Sequence, residues 1–148
     1  VQKLVPQLPT LNSLLDTLIA SCTIEKSYLV DVVTKLYIAT DSNPIDTKTY
    51  ELCTDLVDVV LDISHIYGVS SQNGQLTTFD DKSMAAIRLN TQLIFYLREV
   101  SHYLALIVEV REENFLKRSL LIMLIMSIMS IMVLVVIIKI LKLFQDLL

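Results

Sequence analysis

Glu51, Asp55, Asp58 and Asp62 follow one another at spacings of four, three and four, and His65 comes three later. That progression puts all five on one face of a helix. A row of carboxylates could collect a divalent cation or a basic partner. An oxygen cage, however, needs carboxylates that converge, and four strung along an open helix do not, so the row reads as a solvated face. His65, at the C-terminal end of that face, suits the helix dipole and reads as a cap. Ser101-His102 could be a nucleophile beside its base, but no acid completes a triad at a readable spacing. Cys22 and Cys53 fall on apolar stripes and read as small buried hydrophobes. Two cysteines cannot build a disulfide framework or a four-cysteine zinc site. Two glycines, neither in a G-x-x-x-x-G-K-[ST] nor a G-x-G-x-x-G context, exclude a glycine-rich phosphate cradle. No constellation in the sequence carries catalysis, and no metal or cofactor site can be drawn.

The elements that hold these residues follow from periodicity. Leu8, Leu11, Leu15, Leu18 and Cys22 recur at threes and fours, which predicts an amphipathic helix over 8–22. β-Branched and aromatic runs at 27–33 and 36–41 predict two strands joined by a tight hairpin at Thr34-Lys35, without the usual Asn-Gly. A long helix follows over 46–67, with Asp46 or Thr47 to cap it and Gly68 to end it. On it Leu52, Leu56, Val59, Ile63 and Ile66 form one apolar stripe, and Cys53, Val57 and Val60 form another beside it. That arc is too wide for a helix with one buried side, so the five residues of the first stripe are candidates for a partner interface. Residues 69–83 are polar, contain Asn73-Gly74, and read as a loop; strands follow at 84–89, 93–98 and 103–110. The expected fold is α+β: one five-stranded, mainly antiparallel sheet flanked by helices.

The 148 residues suffice for one domain. Residues 1–118 carry 10 basic against 15 acidic residues, with no basic run, which excludes a nucleic-acid-binding face. With Val1 in place of Met and unpaired cysteines, the expectation is a cytosolic fragment whose N-terminal part is missing.

Four segments add a resemblance to these readings. KLVPQLPTL, the run IEKSYLVDVVTKLYIATDSNPIDTKTYELCTDLVDVVLDISHIYG, KSMAAIRLN and YLALIVEVREENF closely resemble the C-terminal domain of Rag GTPases of the C/D class, over about residues 1–118. The resemblance implies a roadblock fold, related to longin domains, and a scaffolding role. In that family a Ras-like domain precedes this module and holds GTP or GDP with Mg, so nucleotide chemistry is not expected within these residues. The family's module pairs with that of an A/B-class Rag, usually through the long helix and an adjoining edge strand. The heterodimer is recruited by a Ragulator or EGO scaffold to the lysosomal or vacuolar surface, where it relays amino-acid sufficiency to the TOR kinase complex. Membrane contact is then expected mainly through partners.

The tail, 119–148, departs from the family. Ser119–Ile138 is 20 residues without a charge, flanked by Lys117-Arg118 and Lys139, and long enough to span a bilayer. Where the family has an amphipathic helix, residues 121–132 read LIM-LIM-SIM-SIM. One base lost after Leu120 would turn a family-like Leu-Ile-Asp-Tyr into Leu-Leu-Ile-Met, the residues at 120–123. The expectation is therefore a frame-shifted tail, a spurious span, and a sheet lacking the helix that should cover one face. An independently sequenced transcript decides that point. The alternative is a tail-anchored adaptor with a longin- or roadblock-like cytosolic domain. A small hydrolase is a third reading, with no reactive residue to support it.

Overall fold

The computed structural model describes residues 8–67, 83–101 and 103–146. Gly68, the 69–82 part of the polar loop, and His102 lie outside the described residues.

Helix α1 (Leu8–Cys22) forms over its anticipated span and buries Leu8, Leu11, Leu15, Leu18 and Cys22. It stops at Thr23, whose φ of 54° is the left-handed conformation that commonly closes a helix, here without glycine.

Strands β1 (Lys26–Asp31) and β2 (Tyr37–Thr40) form a hairpin with a longer turn than the sequence reading has. Val32 and Val33 belong to the turn and not to the strand. The cause is Asp31: its Oδ1 accepts hydrogen bonds from the amides of Val33 (2.8 Å) and Thr34 (3.0 Å). A side chain that serves as acceptor for the next backbone donors ends the ladder early. Lys35, at φ 60°, then turns the chain, and its amide donates to the Asp31 carbonyl at 2.7 Å.

Helix α2 (Thr47–Tyr67) follows, then β3 (Met84–Arg88), β4 (Leu93–Ser101) and β5 (Leu104–Arg111) as an antiparallel meander. The sheet order is β2-β1-β5-β4-β3. β5 is central and Ala105 through Val110 are all buried, so both faces of the sheet are covered. On one face α2 packs Cys53, Leu56, Val57 and Val60 against Tyr28, Val30, Phe95, Leu97 and Ile107. On the other, Leu29, Tyr96, Leu106, Val108 and Val110 belong to one buried cluster with the apolar stripe of α1.

Helix α3 (Glu112–Asp146) shares that second face. It bends at Arg118 (φ −132°, ψ 22°), so that Glu112–Arg118 and Leu120–Val135 run at 87° to each other. Beyond the bend Ile122, Met126, Met129 and Val133 are buried beside α1. The expectation of a sheet with one face uncovered is thus corrected: the tail lies over it. The physical reason is that a three-residue repeat drifts by only about 60° per repeat on a helix, and steps of four supply the rest. The stripe at 122, 126, 129 and 133 therefore meets Ile, Met or Val, and Ser130 beside it is buried with its hydroxyl donating to the Met126 carbonyl. Among the described residues no single helix is long and apolar enough to cross a membrane; only the bent pair together has the composition.

Candidate functional site: the outer face of α2 and the edge of β3

Asp46 starts α2 as its cap. Its Oδ1 accepts the Thr49 amide at 2.7 Å and its Oδ2 the Thr49 hydroxyl at 3.1 Å. These bonds hold the Asp46 carboxyl below its usual range. His65 binds the Leu61 carbonyl one turn back, through Nδ1 at 2.7 Å, which gives it the place anticipated for it near the helix end.

The fixed axis divides the apolar residues of α2 between two environments. Leu52, Val59, Ile63 and Ile66 are exposed, and Tyr67 continues them, with exposures rising from 38% at Leu52 to 71% at Ile66. Leu56 is the exception among the five interface candidates: it is 2% exposed and belongs to the core with Cys53 and Val60. Its position on the helix points inward with theirs, and Phe95 and Leu97 of β4 belong to the same buried cluster.

Beside α2 runs β3, whose hydrogen-bonded neighbour is β4 on one side only. Its other edge carries no strand among the described residues. Ile87 and Leu89 turn toward α2 and, with Leu52, Val59 and Phe95, line a shallow groove of about 130 Å³. Exposed helix, groove and free strand edge are continuous. The sequence reading found the helix but not Ile87 or Leu89. The alternation MAAIRL held the signal, since its odd positions from Ala85 onward are the half-buried ones.

The acidic row borders this surface. Glu51, Asp55 and Asp62 are exposed, while Asp58 is paired with Lys35 from the β1–β2 turn, Nζ to Oδ2, at 2.6 Å. A fully solvated row is therefore corrected at one member, by a cation reached only through the fold. Among the described residues no three His, Cys, Asp or Glu side chains gather as metal ligands.

Under the first turns of α2 lies a buried polar cluster. Tyr28 stacks on Tyr37 and Tyr37 meets Tyr50 edge-on, each pair with centroids 5.2 Å apart. Cys53 lies in the same layer, its thiol pushed up to about 12 by burial. A thiol so placed stays protonated and unreactive. Cys22, the fully buried last residue of α1, is likewise raised by burial. Glu109 of β5 is buried with Oε2 unpartnered, and desolvation raises its pKa against the opposing field of Lys26.

Cys22, Cys53 and Glu109 do not line the groove beside α2, and what the region presents outward is an apolar surface. Residues 1–57 match the family profile described as the Gtr1/RagA G protein conserved region. Ras-related GTP-binding protein C of Homo sapiens is 51% identical over 121 residues, 82% of this chain and 30% of that protein. Ras-related GTP-binding protein D of Mus musculus is 53% identical over 121 residues, 82% of this chain and 27% of the relative. GTP-binding protein gtr2 of Schizosaccharomyces pombe is 49% identical over 123 residues, 82% of this chain and 39% of the relative.

The chain belongs with the Rag GTPases of the C/D class.

It spans about three tenths of the length of these mammalian Rag proteins. Solved structures agree with the fold anticipated for this Rag region. The MglB protein of Myxococcus xanthus superposes with a TM-score of 0.63 at 15% identity, covering 93% of this chain and 96% of its own. A roadblock/LC7 domain from Streptomyces avermitilis gives 0.50 at 10% identity, over 69% and 78%. The five-stranded sheet with α2 on one face and α1 and α3 on the other is a roadblock-type fold.

Proposed function

We propose that this chain is the pairing and scaffolding module of a Rag C/D-type GTPase. Its partner is the corresponding module of an A/B-class Rag, and the pair forms through the outer face of α2 and the edge of β3. The observation that carries the reading is their continuity: Leu52, Val59, Ile63 and Ile66 stand exposed beside a strand that is the last of the sheet among the described residues. An apolar helix face alone would favour any greasy contact. Joined to a free edge it favours a second sheet, which satisfies the edge while covering the helix.

In this reading GTP or GDP and Mg are bound by a Ras-like domain of the whole protein, and these residues hold none of them. A Ragulator or EGO-type scaffold recruits the pair to the cytoplasmic side of the lysosome or vacuole, and the output is amino-acid sufficiency relayed to the TOR kinase complex. Class membership and the exposed face support this assignment. Size-exclusion of the chain co-expressed with an A/B-class C-terminal domain tests it. One peak containing both is expected, and two separate monomer peaks defeat the pairing.

A further inference from the structure

We propose that the outer face of α3 is a lipid-contacting surface that lies along an anionic bilayer, rather than crossing it. Past the bend, α3 divides sharply into two arcs. Ile122, Met126, Met129, Ser130 and Val133 are buried against the body. Leu120, Leu124, Ile128, Ile131, Val135 and Ile138 are exposed, the first by 82% and the others by 44 to 63%. Their spacings of four, four, three, four and three make one continuous ridge, about 27 Å long at 1.5 Å per residue. No charge interrupts the chain from Ser119 to Ile138. An exposed apolar stripe of this extent on a protein surface marks an interaction site.

Charge identifies the occupant. From Val1 to Leu116 the chain has eight basic and fifteen acidic residues; from Lys117 to Lys142 it has four basic and none acidic. Lys117 and Arg118 are exposed at the bend, and Lys139 and Lys142 lie in the last turns of the same helix. An acidic body is repelled by an anionic leaflet, so only the region around this ridge can approach one favourably. Basic ends bracketing an uncharged ridge match a bilayer that takes apolar side chains into its acyl boundary and cations among its headgroups. A protein partner that reads position would require polar or charged markers along the ridge, as α2 has, and the exposed arc offers none. The buried arc argues for lying flat: a helix with one side committed to α1 and the sheet has one side left for lipid. Because α2 lies on the face of the sheet opposite α3, lipid contact leaves the outer face of α2 uncovered.

Flotation of the full chain with vesicles tests this. Vesicles of phosphatidylcholine with about one third phosphatidylserine should carry the protein, and phosphatidylcholine alone at least fivefold less. Leu124→Glu with Ile131→Glu should reduce binding at least tenfold with an unchanged circular dichroism spectrum. Lys117→Gln with Arg118→Gln should weaken it severalfold and flatten its salt dependence. Alkaline carbonate should release the bound protein. The proposal is overturned if the unmodified chain ignores both vesicles, binds them equally, or resists carbonate extraction as a spanning helix does. It is equally overturned if the chain self-associates through the ridge without lipid, with the double glutamate variant restoring the monomer. The comparison of two vesicle compositions needs no variant and stands even if one fails to fold.

Discussion

α2 and α3 sit on opposite faces of one sheet, each with a buried stripe and an exposed apolar arc, yet they are different kinds of surface. On α2 the exposed Leu52, Val59, Ile63 and Ile66 are bordered by Glu51, Asp55, Asp58 and Asp62, and a strand edge runs alongside. On α3 the exposed arc has no acid or base from Ser119 to Ile138. Apolar area supplies attraction in both cases. What makes a surface selective is the charge and hydrogen-bonding pattern that frames it, because a wrong partner leaves those groups unpaired. α2 has such a frame and α3 has only ends.

The comparison breaks first if the two buried stripes are unequal. Leu56→Ala on α2 and Ile122→Ala on α3 should each cost about 2–5 kcal/mol in urea unfolding, the range for emptying a packed site. A cost below about 0.5 kcal/mol at Ile122 would mean that the tail does not cover the sheet. Next, Val59→Asp or Ile63→Asp should leave the isolated chain's stability within about 0.5 kcal/mol, as surface changes do. Either should weaken pairing with the A/B-class domain at least tenfold by titration calorimetry.

Glu109 sharpens the α2 side. Its native pKa is raised, so its stabilising contribution is present below the ordinary carboxylate range and is lost as pH rises through the raised native value. Glu109→Gln should raise Tm at pH 7, where burial works against ionisation of the carboxyl, and leave it nearly unchanged at pH 4. Equal shifts at both pH values would refute this account. The smallest effect concerns the acidic frame. A double-mutant cycle on Lys35 and Asp58 should give about 0.2–1 kcal/mol for a half-exposed ion pair. Asp55→Asn should change stability by only a few tenths.

Much of this was legible from residue order because local periodicity was honest. The α1 stripe from Leu8 to Cys22 needed no partner to be read, and Asp46 announced the start of α2. What escaped was decided by distant contacts. Leu56 belongs to the surface stripe by spacing, and only its packing in the layer of Phe95 and Leu97 makes it core. Lys35 reaches Asp58 across 23 positions, which no run of charges reveals. Asp31 ended β1 early through its own carboxylate, where a β-branched run argued for continuing. In the tail, the three-residue repeat concealed a four-three-four stripe, because nearly every residue was apolar and any period could be drawn through it.

The sheet's strand order has a consequence for how the chain comes into being. β1 lies between β2 and β5, and Lys26 pairs with Glu109. During synthesis the first hairpin and α2 emerge with no central strand to cover them, and the sheet closes only when β5 has left the ribosome. Closing so long a loop is the costly step, since its entropy is spent before the contacts it permits are made. The nascent chain therefore carries a bare strand edge and two apolar helix faces over most of its length. A chaperone, or an early-arriving partner module, would meet it in that interval.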